Sequence, residues 1–499
     1  MRSLRPLLLL TMASVAGCGS SSEPASAQPA APKSTAPCAD PPSAGKPLGV
    51  RCGHFVDERG RVVVLRGVNA RVLGLFDVTF SDGRAPLEPI PAFGADDAAS
   101  IREWGFDSLR LPINWSAIEP TETGGFDEAY LDRVAAVVDA AAGAGLLVLL
   151  DLHQDAYSKE IGEDGAPLWA IVPPPKPSEL LGGPLHDLDA RRQSTPVLAA
   201  FNTFFGASAD GDRLRGRFVA MASHVAARFA AHPAVMGVEI FNEPLGSLEA
   251  LRRFYELAHP ALRAAAPSKV FVFEPDALIR NNADSWSLPD APLGAMTAYA
   301  PHYYKFAFTG TDAVRQSMTK DKLRPQIESA RDEAAAWGSA LFATEWGYDP
   351  RGIRAADYFT WQSELHEETF SSTAFWLWKE QSQGSWGCHD YDMATGAFSP
   401  RADVKKWLAR ARARAVAGWP TAQRFDRATG TYSLTFTSDP TTTGPTVIAV
   451  APALGAPLSV ACDGAPVAST RDTSGDVSLS CGDGTSTAHT ITLTVAPQP

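Results

Sequence analysis

The feature that most constrains the fold of this chain is a series of short, continuous apolar runs separated by segments of helical character. The runs show no alternation of apolar and polar residues, which is typical of strands buried on both faces of a sheet. They lie at 62–68, 107–112, 146–151, 235–240, 269–274, 296–301, 341–344 and 372–378. The regular succession of strand-like runs and helical segments predicts an α/β fold, namely a closed (β/α)8 TIM barrel. An open doubly wound sheet is the alternative. No glycine-rich phosphate loop follows the first run, which argues against nucleotide binding.

Helical segments with recognisable ends separate the runs. Tyr130, Val134, Val137 and Val138 share one helical face, and Asp127 is placed to cap the amino end of that helix. The residues at 402–418 also have helical character. After residue 418 the chain changes to short, Thr/Ser/Val-rich runs in which apolar residues alternate, and this pattern predicts an all-β sandwich. The predicted domains are therefore a barrel at 46–418 and a sandwich at 419–499.

The first 45 residues have the pattern of an exported protein. Residues 1–18 combine two arginines, a short apolar run and the sequence VAGC ending at Cys18, and are interpreted as a signal peptide. VAGC resembles the signal of bacterial lipoproteins, in which the cysteine is lipidated; ordinary cleavage after Ala16 is the alternative. The Ser/Ala/Pro-rich stretch 19–45 is predicted to be a disordered linker. We therefore expect a membrane-anchored lipoprotein or a secreted protein.

The five remaining cysteines are expected to form disulfides rather than a zinc site, because export is predicted and no CxxC spacing is present. Cys462 and Cys481 end two candidate strands in the predicted sandwich, so we expect them to pair. Cys38 and Cys52 form a second candidate pair. Cys388 is then left over and is expected to be a buried thiol.

The charge of the chain narrows the classes of partner. With 44 basic and 56 acidic residues among 499, the formal net charge is -12. A chain of this sign is not expected to bind nucleic acid or to attach to anionic lipid through a basic patch. A neutral or cationic partner is compatible with it, and the sequence leaves the oligomeric state open.

Polar and aromatic residues cluster where the predicted strands end, and in a barrel these positions are catalytic. The strand ends carry Asn69, Arg110, Asp151, His153, Gln154, Asp155, Asn242, Glu243, His302, Tyr304, Glu345, Trp376 and Trp378. Two glutamates on separate strands, Glu243 and Glu345, favour glycoside hydrolysis, which needs two carboxyl groups beside the reacting carbon. Glu239 lies inside its strand and is expected to be a paired structural carboxylate.

A metal site that uses His153 and His302 is the competing interpretation of these strand ends. Neither HExxH nor a His-x-His pair is present, however, and both are typical of such sites. The sequence therefore predicts neither a metal nor a cofactor.

Several motifs resemble those of a known family, glycoside hydrolase family 5. They are FNEP at 241–244, PHYY at 301–304 and ATEWG at 343–347. The resemblance to the endoglycoceramidase branch comes from LDLHQDAYS at 150–158, GAPLWA at 165–170 and RAVAG at 414–418 before the sandwich. It covers residues 48–499 and implies a retaining enzyme that cleaves the β-glycosidic bond between oligosaccharide and ceramide.

The resemblance implies a role for each residue at the strand ends. Glu243 would be the general acid/base and Glu345 the nucleophile, with carboxyl groups about 5–5.5 Å apart. Arg110 and Tyr304 would hold Glu345 ionised, and Asn242 would bind the sugar 2-hydroxyl. The other expected contacts to the reactive sugar come from His153, His302, Gln154 and Asp155. Trp376 would be the stacking floor of the sugar site, with Trp378 as the alternative.

Two segments depart from the resemblance and bear on the substrate. The loop at 158–195 does not align, and a loop of this length is usually functional or disordered. The segment 375–392 also differs, so Lys379 and Glu380 are expected to change the preferred leaving group. The alternatives are a β-glucosidase or glucanase acting on steryl glucosides or β-glucans, and a non-catalytic, carbohydrate-binding surface lipoprotein.

Overall fold

The computed structural model describes residues 46–280, 293–308, 311–381, 386–482 and 484–497. Cys18, the predicted signal peptide and the predicted linker lie outside the described residues. The strands are β1 Gly49–Arg51, β2 His54–Val56, β3 Val62–Val63, β4 Arg66–Asn69, β5 Ser108–Asn114, β6 Leu147–His153, β7 Val235–Glu239, β8 Val270–Phe273, β9 Thr297–Tyr299, β10 Ala340–Trp346, β11 Ser372–Phe375, β12 His389–Asp392, β13 Ala397–Pro400, β14 Ala411–Val416, β15 Gly418–Asp426, β16 Thr431–Ser438, β17 Thr446–Val450, β18 Ser459–Cys462, β19 Ala465–Pro466, β20 Ser469–Arg471, β21 Asp476–Leu479 and β22 Ala488–Thr494.

The helices among the described residues lie mainly between the barrel strands. They are α1 Ala95–Glu103, α2 Trp115–Ile118, α3 Glu128–Gly143, α4 Leu188–Arg192, α5 Thr195–Phe205, α6 Ala209–Arg228, α7 Leu248–Ala265, α8 Ala277–Arg280, α9 Asp312–Gln316, α10 Lys320–Ala336, α11 Ala355–Glu368 and α12 Ala402–Leu408. The Asp127 carboxylate accepts a hydrogen bond from the backbone N–H of Tyr130, which confirms the predicted cap of α3.

Eight parallel strands form a closed barrel in the order β10-β11-β4-β5-β6-β7-β8-β9. Each of the eight apolar runs overlaps one of these strands, so the (β/α)8 prediction is confirmed and the open sheet is excluded. The longest pairing joins β5 and β6, from Ser108 opposite Leu147 to Asn114 opposite His153. Closure brings the carboxyl ends of all eight strands to one face.

The sandwich begins earlier than the sequence predicted. Residues 402–418 are not one helix, because α12 ends at Leu408 and β14 starts at Ala411. The alternation in ARARAV suits a strand, and the Arg412 guanidinium is buried against Asp107 at 2.6 Å. Alanine and arginine favour helices in isolation, but here the tertiary ion pair and the sheet hydrogen bonds override that propensity.

The amino-terminal strands also belong to the sandwich rather than to the barrel. β3 pairs with β14, whereas β4, only two residues further along the chain, pairs with β5 and β11. The first apolar run, 62–68, is therefore divided between two sheets. Both parts are apolar, so their composition did not reveal the division.

Two antiparallel sheets face each other in the carboxyl-terminal region, as predicted. One has the order β1-β2-β3-β14-β17-β21-β20 and the other β15-β16-β22-β18-β19. Their shared core contains Tyr432, Leu434 and Phe436 from β16, with Ile491 and Leu493 from β22, all fully buried.

The cysteines agree with the predictions where the structure describes them. Cys462 and Cys481 form a disulfide, and Cys388 is a buried free thiol. Cys52 is disulfide-bonded, while its predicted partner Cys38 lies outside the described residues. None of the described helices is long and apolar enough to cross a membrane.

Asp107 couples the barrel to the sandwich, and its removal is expected to destabilise both. Burial alone would raise the pKa of this carboxyl, but Arg412 and Arg414 hold it below its usual value. Its ionised form therefore contributes stability above the unfolded pKa of about 3.9, and this contribution is lost as pH falls through the lower folded pKa.

We expect Asp107→Asn to lose about 3 kcal/mol at pH 7, because Arg412 would remain buried without its counter-charge. The difference from the wild type should shrink below about pH 4. Denaturant titrations across this pH range test the prediction, with the exposed Asp132→Asn as control. An equal loss at both positions would contradict it.

Candidate active site

The carboxyl ends of the barrel strands surround a cleft of about 350 Å3. Of the predicted site residues, it is lined by His153, Asp155, Asn242, Glu243, Tyr304, Glu345 and Trp376. The sequence therefore predicted seven of the seventeen residues that line this cleft. The contacts of the site residues show what each side chain does.

Arg110 lies fully buried at the base of the cleft and pairs with carboxylates from three other strands. Its guanidinium is 2.6 Å from a carboxylate oxygen of Glu345, 2.5 Å from Glu239 and 3.0 Å from Asp151. It also donates to the side-chain oxygens of Asn69 at 2.9 Å and Asn242 at 2.7 Å. These contacts confirm the predicted Arg110–Glu345 pair and the structural role expected for Glu239.

For the buried charged groups, burial and the neighbouring charges shift the pKa in opposite directions. Burial alone would lower the pKa of Arg110, but Asp151, Glu239 and Glu345 raise it well above its usual value. Burial raises the pKa of Asp151 to about 6, although Arg110 opposes the shift. The Arg110 guanidinium therefore supplies positive charge to three carboxylates in a dry environment, where charged groups must be paired.

Glu345 is held by a different donor on each carboxylate oxygen. Arg110 binds Oε1, and the Tyr304 hydroxyl donates to Oε2 at 2.8 Å. Burial and then the charge of Glu345 raise the pKa of Tyr304, so its hydroxyl keeps its proton. Both carboxylate oxygens of Glu345 are thus held in place by hydrogen bonds, which is the fixed orientation that a nucleophilic carboxylate requires.

Glu243 follows β7 in a strained backbone conformation, with a φ of 42°. Such a conformation costs on the order of 1–3 kcal/mol and persists only where neighbouring groups hold it. The Glu274 carboxylate accepts from the Glu243 N–H at 3.1 Å. The Gln154 side-chain amide donates to the carbonyls of Asn242 and Glu243, at 2.7 and 2.9 Å.

The role predicted for Gln154 is therefore wrong. Its amide group is committed to backbone carbonyls, and its oxygen accepts from the Tyr157 N–H at 2.7 Å. A buried amide must find partners inside the protein, and these lie beneath Glu243 rather than in the cleft. Gln154 positions the acid instead of reaching the sugar.

His302 lies between the two glutamates. Its Nδ1 is 2.8 Å from Glu243 Oε1 and 3.5 Å from Glu345 Oε2. One ligand atom from each of the three residues lies within 4.8 Å of the others, so the carboxylate oxygens are closer than an inverting mechanism requires. Burial alone would lower the pKa of His302, but Glu345 and Glu243 outweigh it and raise the pKa.

His153 and Trp376 form a stacked pair in the wall of the cleft. Their rings are 5.7 Å apart and nearly parallel, at 11°. The His153 Nδ1 lies 2.6 Å from the Asp151 carboxylate. Burial and then Arg110 lower the pKa of His153 to about 3, so the imidazole is neutral and can offer its other nitrogen to a sugar hydroxyl.

The structure decides between the two tryptophans. Trp376 lines the cleft, whereas Trp378 is buried behind it and donates to Asp97 at 2.9 Å. The prediction of Trp378 as a substrate-binding residue is therefore wrong, because alternate residues after β11 face different sides. Lys379 and Glu380 are also paired outside the cleft lining, with Asp97 at 2.5 Å and Arg71 at 2.7 Å.

Asp155 and Asn242 lie in the cleft, but their side chains already have protein partners. Arg192 binds both Asp155 oxygens, one of them at 2.8 Å. The Asn242 amide donates to the Gln154 carbonyl at 2.9 Å, while its oxygen accepts from Arg110. Asn242 remains placed beside Glu243, whereas Asp155 would exchange or share Arg192 on binding a sugar.

Sequence reasoning missed several residues in the cleft wall: Arg71, Phe76, Glu163, Arg192, Phe308 and Trp386. Arg71 lies two residues beyond the carboxyl end of β4, and residues at such positions face the active site of a barrel, so the sequence could have predicted it. Glu163 and Arg192 come from the unaligned loop 158–195, which is folded onto the cleft by the Asp155–Arg192 pair. Arg71 is 3.3 Å from Glu163. Burial and then the negative charge of Glu88 raise the pKa of Glu163 well above its usual value.

Fold and site together define a barrel hydrolase of glycosides. A model of Cellulase (glycosyl hydrolase family 5) matches residues 91–382, and one of the glycoside hydrolase family 5 C-terminal domain matches 410–495. The chain belongs to glycoside hydrolase family 5. The second match begins at the observed start of the sandwich rather than at residue 419.

The chain is similar to individual proteins that are named as glycosidases. Endoglycoceramidase I of Rhodococcus hoagii is 33% identical over 273 residues, 50% of this chain and 51% of that protein. Ergosteryl-beta-glucosidase of Saccharomyces cerevisiae is 29% identical over 139 residues, 24% of this chain and 18% of its own length. The matched part thus spans about half, or less, of each relative.

One solved structure covers nearly the whole described chain. It is endo-glycoceramidase II from Rhodococcus sp. as its lactosyl-enzyme intermediate, with a TM-score of 0.71 and 25% identity. The match includes 89% of this chain and 99% of that one.

Removal of the Arg110 charge is expected to destabilise the barrel as well as the site. Arg110→Met would leave Asp151, Glu239 and Glu345 buried without a cation, at a cost of about 4 kcal/mol near neutral pH. Because these carboxyls can then take up protons, the deficit should shrink between about pH 7.5 and 5.

Thermal unfolding at both pH values measures this effect. Arg110→Lys, which keeps the charge but loses the planar fork, should lie between the wild type and the methionine variant. Equal stability of Arg110→Met and wild type at pH 7.5 would contradict the role of this ion network.

Proposed function

We propose that this protein is a retaining β-glycosidase that cleaves the bond between oligosaccharide and ceramide in glycosphingolipids. The observation that carries the proposal is the carboxylate pair, Glu243 and Glu345, held within 4.8 Å through His302 at the base of a cleft with aromatic walls. The matched endoglycoceramidases support the substrate class.

In the first step, Glu345 attacks the anomeric carbon and Glu243 protonates the departing oxygen. A glycosyl–enzyme ester forms and the aglycone leaves as an alcohol. Arg110 and Tyr304 keep Glu345 anionic and fix its orientation before attack. Trp376 would stack on the reactive sugar, with the neutral His153 and Asn242 binding its hydroxyls.

In the second step, Glu243 takes a proton from water, which attacks the anomeric carbon and releases Glu345. The configuration of the sugar is therefore retained. His302 lies 2.8 Å from Glu243, so the two side chains can share a proton while the acid alternates between its two roles. The strained backbone held by Gln154 would keep the carboxyl aimed at the glycosidic oxygen.

An aromatic cluster supports a lipid aglycone. Tyr304, which binds the nucleophile, is 4.8 Å from Phe308, and Phe308 stacks on Trp386 at 5.1 Å and 17°. We assign this cluster to the aglycone. Another part of the cleft wall is charged, with Arg71, Glu163 and the Asp155–Arg192 pair, and suits the hydroxyls of a glycan.

A second candidate is a β-glucosidase or glucanase that acts on steryl glucosides or β-glucans. The relative named ergosteryl-beta-glucosidase favours the steryl glucoside, and the same aromatic cluster would accept a sterol. A non-catalytic carbohydrate-binding role is disfavoured, because a binding protein has no need of an acid and an oriented nucleophile.

We also propose that the protein is exported and attached to a membrane through lipid on Cys18. The VAGC sequence and the Ser/Ala/Pro-rich stretch after it support this arrangement. A tethered enzyme would remain close to an amphiphilic substrate; one acyl chain anchors only marginally, whereas several anchor firmly.

Product analysis by mass spectrometry tests the substrate class. Incubation with lactosylceramide should release intact lactose and ceramide, and Glu345→Gln should release neither. Cleavage of only a steryl glucoside or cello-oligosaccharide would move the assignment to the second candidate. Sugar binding without cleavage of any substrate would refute the enzyme.

A leaving-group comparison tests the division of labour between the glutamates. For Glu243→Gln we expect hydrolysis of the glycolipid to fall about 10²–10⁴-fold, because the alkoxide can no longer be protonated. The first step on a dinitrophenyl β-glycoside should be nearly unchanged, since this phenolate leaves without a proton.

Burst kinetics on the dinitrophenyl substrate measure that first step directly. Glu345→Gln should lose both reactions, and the exposed Glu249→Gln on α7 should keep both. An equal loss of both substrates with Glu243→Gln would argue against its role as the acid.

A further inference from the structure

Large apolar side chains are exposed beside the mouth of the cleft. Phe308 is 54% exposed, Val314 42% and Met393 88%. Phe308 and Val314 follow barrel strand β9, and Met393 lies in the turn of the β12–β13 hairpin, which follows β11. All three are therefore on the face formed by the carboxyl ends of the strands, where the cleft opens.

Contacts between neighbouring segments connect the parts of this face that carry the three residues. The Phe308 ring stacks on Trp386, which directly precedes the hairpin. The loop after β10 bridges the other two parts: Arg354 donates to the Met318 carbonyl beyond α9 at 2.5 Å, and Arg351 pairs with Asp390 of the hairpin. We refer to Phe308, Val314 and Met393 as the apolar rim.

The charges near these exposed side chains do not make this part of the surface a binding site for anionic groups. Arg351, the most exposed cation of these segments, is paired with Asp390, and Arg315 lies 3.6 Å from Asp312. The whole chain carries a formal charge of -12. An attachment through this face would therefore depend on apolar contact and not on attraction to anionic groups.

The apolar rim is continuous with the aromatic cluster of the cleft, because Phe308 belongs to both. A lipid chain held by Phe308 and Trp386 next to the nucleophile would leave the cleft across Val314 and Met393. Exposed apolar side chains on a short helix and a turn, where a lipid chain would leave the cleft, are suited to contact with the apolar layer of a membrane.

We propose that the apolar rim docks on the surface of a lipid bilayer with neutral headgroups and presents the cleft to glycolipids embedded there. This inference rests on the proposed lipid-linked substrate. It adds a membrane contact made by the catalytic face itself, separate from any anchor at the amino terminus.

The test uses the full chain carrying Cys18→Ser, so that no lipid on this cysteine contributes to binding. Val314→Ser/Met393→Ser is compared with this parent and with Leu458→Ser. Leu458 is 71% exposed but lies in the sandwich, just before β18, and serves as the matched control. Phe308 is left unchanged because it also lines the cleft.

Three measurements are made on each protein. Co-sedimentation with phosphatidylcholine vesicles, with and without phosphatidylserine, measures docking. Hydrolysis of lactosylceramide in phosphatidylcholine vesicles measures turnover at a surface. Hydrolysis of a soluble aryl β-lactoside measures the cleft alone.

We expect the rim variant to lose about tenfold in vesicle binding and in vesicle hydrolysis, with the aryl lactoside rate unchanged. Leu458→Ser should match the parent, and phosphatidylserine or salt should have little effect on binding. An unchanged rim variant, an equal loss with Leu458→Ser, or binding that depends on anionic lipid would overturn the proposal.

A change in oligomeric state on size-exclusion chromatography, without a change in vesicle binding, would instead assign the rim to a second copy of the chain and overturn the proposal. The failure of the proposed function has a different signature. If the proposed function is wrong, the parent cleaves the aryl lactoside but no glycosphingolipid, even in detergent. Binding to phosphatidylcholine vesicles still tests the apolar rim in that case.

Discussion

The buried guanidinium of Arg110 is the interaction on which both the barrel and its site depend. From β5 it contacts Asn69 on β4, Asp151 on β6, Glu239 on β7 and Glu345 on β10. A charge in a dry interior is tolerated only when it is paired and hydrogen-bonded, so these strands must close around it. The contact between Arg110 and Glu345 also orients the proposed nucleophile, so the same ion network serves the closed barrel and the site.

The proposed acid, Glu243, lies in a strained stretch of backbone. Glu243 has a left-handed backbone conformation, and Gln154 and Glu274 hold it from below. The barrel can support this cost because the partners lie on rigid neighbouring elements. The proposed nucleophile is thus fixed through its carboxylate and the proposed acid through its backbone. The Glu243 carboxyl lies 2.8 Å from His302, with which it can exchange a proton.

The cleft combines two kinds of wall. Arg71, Glu163 and the Asp155–Arg192 pair supply donors and acceptors, whereas Phe308 and Trp386 supply an apolar surface beside Tyr304. The same cleft therefore offers contacts both to a polar, polyhydroxylated group and to an apolar group. This division suits an amphiphilic glycoside, and the apolar rim extends it from the cleft to the surface.

The sequence by itself determined the eight barrel strands, the sandwich core and the two glutamates. Burial on both faces imposes continuous apolar runs, and the carboxyl ends of parallel strands must meet on one face. Only the tertiary structure decided that Gln154 supports the backbone, that Trp378 lies behind the cleft and that 411–416 is a strand. Each of these outcomes depends on hydrogen bonds or ion pairs between residues far apart in the chain, such as Asp107 with Arg412, and local residue patterns carry no information about those distances.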